Sequence, residues 1–208
     1  ALAEDHQVVA IDMRGYAQEA SPMRPQEMVH LYHASMADED RELIDSIRER
    51  DTERDWNDVD VSMGEKNRGQ TELPRFQYYQ GRNPGWPEQI LRAEYAAALK
   101  SYRQMVDDDR THLDIIQSNQ VPMHLVLTKA LTQVTTGAPQ SIYNGGLLRA
   151  TVRYYDADRQ RPGLPPDTAA LVDELSDRRV GVQLVNCHRN EARRLIVQAG
   201  AFGEHRFG

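Results

Sequence analysis

The sequence predicts an α+β fold, with amphipathic helices through the N-terminal two thirds and an antiparallel β-sheet behind them. Apolar residues recur at helical spacing as far as Val134 and alternate with polar ones from Leu148 onwards. Between these regions, Thr135 to Gly146 carries the glycine, proline and asparagine that interrupt both patterns. Helices first and strands after is the order of an α+β chain, since a doubly wound sheet would alternate them. The division gives a helical region over 1–140 and an antiparallel β region over 141–208.

His6 to Ile11 alternates weakly through Val8, Val9 and Ile11, as a short strand or extended lead-in would. Pro25 suits a first helical turn, where its missing N–H costs nothing, and Met28, Leu31, Tyr32 and Ser35 share a stripe behind it. A second helix begins near Asp38, with Asp38, Glu39 and Asp40 at the positive end of its dipole and Leu43, Ile44 and Ile47 inward. Arg50 to Gly85 shows no clear period and reads as one long loop. Its aromatic content predicts an ordered loop packed over the helices, because a solvated segment has no use for that apolar area.

Trp86-Pro87 opens the strongest helix, with Ile90, Leu91, Tyr95, Ala98, Leu99, Tyr102, Met105 and Val106 on one broad inward face. Asp107, Asp108 and Asp109 oppose the dipole at its C-terminal end. Another helix is expected from Pro122 to Val134, stopped by Gly137 and Pro139. Beyond the junction, Leu148, Ala150, Val152 and Tyr154 alternate with polar neighbours, as do Val180, Val182 and Leu184, then Leu195, Val197 and Ala199. Asp167 to Leu175 reads as a short helix, and Arg189-Asn190-Glu191 as the turn of a hairpin. Three strands rarely close a β domain, so their edges call for another chain or domain.

Composition narrows the function. A net charge of −7 offers no overall attraction to phosphate backbones or anionic membranes, which disfavours nucleic acid as a partner. No apolar run reaches the length of a membrane span, so a soluble protein with no membrane partner is expected, its compartment unassigned. Cys187 is the only cysteine, which excludes an intrachain disulfide and a cysteine-rich zinc site. Neither a Walker loop, nor G-x-G-x-x-G, nor G-x-S-x-G occurs, so no cofactor is expected and hydrolases with those signatures are disfavoured.

Four groups of residues could carry chemistry. Glu27, His30 and His33, three apart on one helix, make half of a di-metal carboxylate motif; without a second copy no metal is assigned, and a polar helix face with histidines bonded to neighbours is the favoured account of them. Asp58, Asp60, Ser62, Gly64 and Glu65 supply hard oxygen donors but miss the EF-hand pattern, since Gly64 is seventh rather than sixth from Asp58 and Gly69 rather than a carboxylate holds the twelfth place. Asp58 and Asp60 could instead act as general acid and base, or belong to a solvated turn. Trp56, Tyr78, Tyr79 and Trp86, with Phe76, suit stacking on sugar rings, although anchors of a loop on a core would look the same. Tyr143, Asn144 and Arg149 could abstract a proton beside a carboxylate, with Tyr143 as acid and base and the other two neutralising the acid; a tight turn at Gly145-Gly146 explains them too.

The block of helices with aromatic loops, the Gly-rich junction, and strands ending in Arg194-Leu195-Ile196-Val197-Gln198-Ala199-Gly200-Ala201-Phe202-Gly203-Glu204-His205-Arg206-Phe207 resemble one stretch of large bacterial carbohydrate-active proteins. Those proteins, polysaccharide lyases and some glycosidases, join an α/α toroid to a β-sandwich. The resemblance covers most of the chain, is one of layout, and transfers no catalytic residue. It implies an incomplete toroid plus a β-sandwich, completed by sequence elsewhere, and a carbohydrate as partner. Two functions are therefore expected: a carbohydrate-processing or carbohydrate-binding segment, or a non-catalytic assembly module that pairs with another chain or domain.

Overall fold

In the computed structural model, residues 25–61, 71–111, 113–114, 127–138 and 150–208 are described. Helix α1 (Pro25–Ser35) turns through Met36, whose φ of 55° is left-handed, into α2 (Asp38–Arg50). α2 has acids in its first turn and Arg48 and Arg50 in its last, both matched to the helix dipole. Then come α3 (Glu72–Tyr79), α4 (Trp86–Val106) and α5 (Lys129–Thr136). The strands are β1 (Val152–Asp156), β2 (Arg161–Pro162), β3 (Thr168–Leu175), β4 (Val180–Asn186) and β5 (Leu195–Ala199). Helices precede strands and every strand pair is antiparallel, so the α+β class holds. Among the described residues no helix is long and apolar enough to cross a membrane.

Among the described residues five strands make two small sheets, ordered β2-β1-β5 and β3-β4. Val152 and Tyr154 of β1 meet Ala170 and Val172 of β3 in one buried cluster, with Val180, Val182, Leu195 and Val197 packed around it. The opposite side of β3 also has a task. Leu171 packs on the cluster of Trp86, Ile90, Ala130 and Val134, where α4 meets α5. β3 therefore faces the sheet core through Ala170 and Val172 and touches the helices through Leu171, while Ala169, Asp173 and Glu174 are exposed.

The expected helix over Asp167 to Leu175 is corrected. Ala169-Ala170-Leu171 and Glu174-Leu175 are residues favoured in helices, and a short apolar run does not distinguish a strand from a helix. Tertiary packing makes it a strand. The expected hairpin at Arg189-Asn190-Glu191 is also corrected, because β4 pairs with β3 while β5 pairs with β1. The segment is a passage between sheets, and it holds the exposed Cys187.

A third correction falls in the supposed loop from Arg50 to Gly85, which contains α3. Every residue of α3 from Glu72 to Gln77 is buried. Leu73 and Phe76 join Val29, Tyr32, Ile44 and Trp56 in one cluster, Tyr78 packs on the α4–α5 cluster, and Tyr79 on the sheet cluster. A helix enclosed on all sides shows no amphipathic period, which is why its spacing signals nothing.

α4 forms where expected but turns differently. Trp86, Ile90 and Glu94 are its buried residues, whereas Tyr95, Tyr102 and Val106 are 67, 56 and 65 % exposed. The expected strand near His6 and the boundary at 140 and 141 lie outside the described residues, as does the expected helix before Leu127.

Candidate functional site

The densest chemistry surrounds α3. Its Glu72 and Arg75 are buried in a helical core, where an uncompensated charge would cost several kcal/mol, roughly. Neighbours from α1 and α5 supply the compensation. Glu72 Oε2 lies 3.1 Å from His33 Nδ1 and accepts a bond from Arg75 Nη1 at 3.2 Å. Its other oxygen, Oε1, accepts from Gln133 Nε2 at 2.6 Å, and the same amide lies 3.3 Å from Thr71 Oγ1. The His33 and Glu72 side chains are 1 % and 5 % exposed and Arg75 is fully enclosed.

Arg75 also reaches the end of α5. Its Nη2 donates to Gly137 O at 2.7 Å, placing a cation at the negative pole of that helix. The opposite pole takes an anion: both oxygens of buried Glu94 lie within 3.1 Å of Ala130 N, capping the first turn from α4. One short helix is thus held at both ends by buried charges from its neighbours. Lys129 begins it, and burial lowers the pKa of its amine, against the pull of Glu72, Glu94 and Asp60.

The carbonyls that α5 leaves open at its C-terminus bind it to the sheets. Thr135 O accepts from Tyr154 Oη and Thr136 O from Thr151 N, each at 2.7 Å. Gly137 sits at φ 65°, and a Cβ there would stand 2.7 Å from Thr151 Oγ1. Only glycine fits that backbone and that space.

The aromatic residues expected to bind sugar are directed inward. Trp56 and Trp86 are 5 % and 0 % exposed and belong to two different core clusters. Tyr78 stacks 5.2 Å from Trp86 at a 36° tilt, and the Arg75 guanidinium lies 5.3 Å from the Tyr79 ring centre. Desolvation pushes the Tyr78 phenol up to about 12, and raises Tyr79 as well. Neither tryptophan therefore offers a stacking face to solvent, and Tyr78 and Tyr79 are half-buried against core.

Asp58 is exposed and Asp60 half-buried, on the stretch that leaves Trp56 and leads through Val59 and Val61 onto the α4–α5 cluster. Tyr143, Asn144 and Arg149 lie outside the described residues, as do Ser62, Gly64 and Glu65. His33 Nδ1 lies 3.1 Å from Glu72 Oε2, and among the described residues no three His, Cys, Asp or Glu side chains converge to hold a metal; the side chains of Glu27 and His30 lie outside the described ones. Sequence reasoning missed Glu72, Arg75, Glu94 and Gln133. Polar residues inside an unrecognised helix give no periodic signal, although Glu94 interrupting the apolar line of α4 at Trp86 and Ile90 was a legible hint.

A reaction centre needs a route for its substrate. His33, Glu72 and Arg75 are buried, and they tie α1 and α3 to each other and to α5. The surface instead concentrates its apolar exposure on α4 and on the outer strands, where Leu184, Val185 and Ile196 are 45, 53 and 55 % exposed.

No curated protein and no solved structure matches the chain. A family match covers residues 5–132, more than half the sequence, and takes in α1 to α4 with the first half of α5. By that match the chain belongs to the family DUF8034, described as a domain of unknown function.

Proposed function

We propose that the chain is a non-catalytic assembly module, which pairs through its outer strands with another chain or domain. The observation that carries this reading is the state of those strands. Among the described residues nothing pairs beyond β4 or β5, and Leu184, Val185 and Ile196 stand exposed along them. Neither strand contains the proline or lysine that commonly blunts an edge. An apolar edge left open invites addition of a further strand, in which backbone bonds give affinity and alternate side chains give specificity.

A carbohydrate-processing role is the competing proposal, and it gains nothing from Trp56 or Trp86, whose rings lie in the core. The test joins two measurements on the purified chain: sedimentation across a concentration series, and amide exchange along β4 and β5. Edge amides that exchange freely in the monomer, with association weakened at least tenfold by Val185→Lys plus Ile196→Lys, are the expected result. A monomer whose β5 amides are protected on both sides would mean a closed sheet and overturn the reading.

A further inference from the structure

Helix α4 carries two apolar lines. One, through Trp86 and Ile90, packs into the molecule and is closed by Glu94 on α5. The other runs through Leu91, Tyr95, Ala98, Tyr102 and Met105, in steps of four, three, four and three. It is rotated roughly a third of a turn from the first, at 3.6 residues per turn. Leu91, Tyr95, Tyr102 and Met105 are 38, 67, 56 and 45 % exposed, and Leu99 and Val106 widen the same stripe.

Alternating steps of four and three keep a stripe facing a second helix along its length, the pattern of a coiled-coil seam. The seam extends about 21 Å, at 1.5 Å per residue. Burying one side of a helix needs only the first line, and the second leaves Tyr95 and Tyr102 more than half exposed. We propose that it is an interface between two copies of this chain, joined as an antiparallel pair of α4 helices about a two-fold axis near Leu99 and Lys100.

Side-chain size suits this arrangement. With the axis there, Tyr95 lies opposite the partner's Met105 and Ala98 opposite the partner's Tyr102, so a small residue faces a large one in the central layers. The two-fold axis makes the contact isologous and closed, which leaves no free half to propagate.

Charge sets the direction. Asp107, Asp108 and Asp109 follow the C-terminal end of α4, where they oppose its own dipole. A parallel pair would bring the four carboxylates of Asp107 and Asp109 together at one end, Asp108 being answered by Arg110. In the antiparallel pair Asp107 and Asp109 come near the partner's Arg92, whose side chain is 79 % exposed and bonded within its own helix to Glu88 at 2.6 Å, while Asp108 is already held by Arg110 of its own chain at 2.7 Å. Opposed helix dipoles add to the preference. Two such stripes would withdraw on the order of 1,000 Å² from water, near the lower limit for a specific interface, so the dimer is a reversible one.

The inference is independent of the strand-edge reading, and one experiment separates them. Sedimentation equilibrium of the chain from about 1 to 200 μM should show a monomer–dimer equilibrium with affinity in the micromolar range. Tyr102→Glu, at an exposed position that leaves the circular dichroism unchanged, should raise the dissociation constant at least tenfold. Arg92→Asp should weaken the dimer several-fold, and adding Asp107→Arg and Asp109→Arg should restore it. A wild-type chain monomeric throughout overturns the inference, including the case where Tyr95 resists nitration because another part of the chain covers it. A dimer indifferent to Tyr102→Glu but lost in Val185→Lys plus Ile196→Lys also overturns it, while leaving the strand-edge reading in place.

Discussion

Helix α3 is eight residues long, contains a proline, a glutamate and an arginine, and is buried from Glu72 to Gln77; α4 is 21 residues long with a regular apolar pattern, and only Trp86, Ile90 and Glu94 are buried along it. The contrast separates two properties that a hydrophobic period is usually taken to report together. Periodicity records that a helix has a preferred side, and says nothing about what will cover it. Burial depends on neighbours, and α3 has them on every side. Its charges survive there because His33, Gln133 and the end of α5 answer them. α4 has neighbours along one line and a second, equally regular line facing solvent.

The sharpest way to break this comparison is to remove Arg75. Arg75→Met removes the guanidinium from buried Glu72 and the donor from Gly137 O, so a loss of about 3–5 kcal/mol is expected in urea unfolding. A loss below about 1 kcal/mol would show that the surroundings of α3 are wet rather than sealed. Gly137→Ala comes next. It forces an L side chain to a φ of 65° against Thr151, for about 2 kcal/mol, read from the same unfolding midpoint. Glu94→Gln keeps an acceptor at the start of α5 but removes its charge, at about 1 kcal/mol.

A more gradual effect is expected in alkali. The Tyr78 phenol is raised from its ordinary value of 10.0 to about 12, so between those pH values the folded chain holds a proton that the unfolded chain has lost. The stabilisation is complete below pH 10 and is lost as pH rises through 12. Unfolding midpoints at pH 9, 10 and 11, compared with Tyr78→Phe, isolate this contribution. The smallest effect belongs to the exposed line of α4, where Tyr95→Ser should change monomer stability by less than about 0.5 kcal/mol while weakening any dimer. A large destabilisation there would mean that the stripe is already covered within one chain.

Much of the layout was legible, and each exception has its own cause. Pro25, the acids of Asp38 to Asp40, and Trp86-Pro87 mark helix starts by local chemistry, which operates whatever surrounds the helix. Val152, Tyr154 and Asp156 alternate because one side of β1 faces the sheet core and the other does not. α3 was hidden because it is covered on more than one side, which erases the period that marks an element, and β3 because Ala169-Ala170-Leu171 is sequence favoured in helices. Among the residues expected to act chemically, Trp56, Tyr78, Tyr79 and Trp86 were found by their type alone. Type cannot tell an aromatic ring that closes a core from one that lines a cleft. Glu72 and Arg75 needed a knowledge of spatial neighbours 39 and 62 positions away, which no spacing in the sequence contains.

The position of β3 has a consequence for how the chain comes apart. Residue 132, where the family match ends, falls inside α5. The next four residues supply Gln133 to Glu72, Val134 to the α4–α5 core, and the carbonyls of Thr135 and Thr136 to the sheets. Leu171 presses on the same core from β3. The helical part and the strand part therefore share side chains and hydrogen bonds across their border, and neither can melt without stripping the other. On heating, the chain should lose helix and strand signals at one temperature. An expression boundary drawn at residue 132 would divide a single cooperative unit.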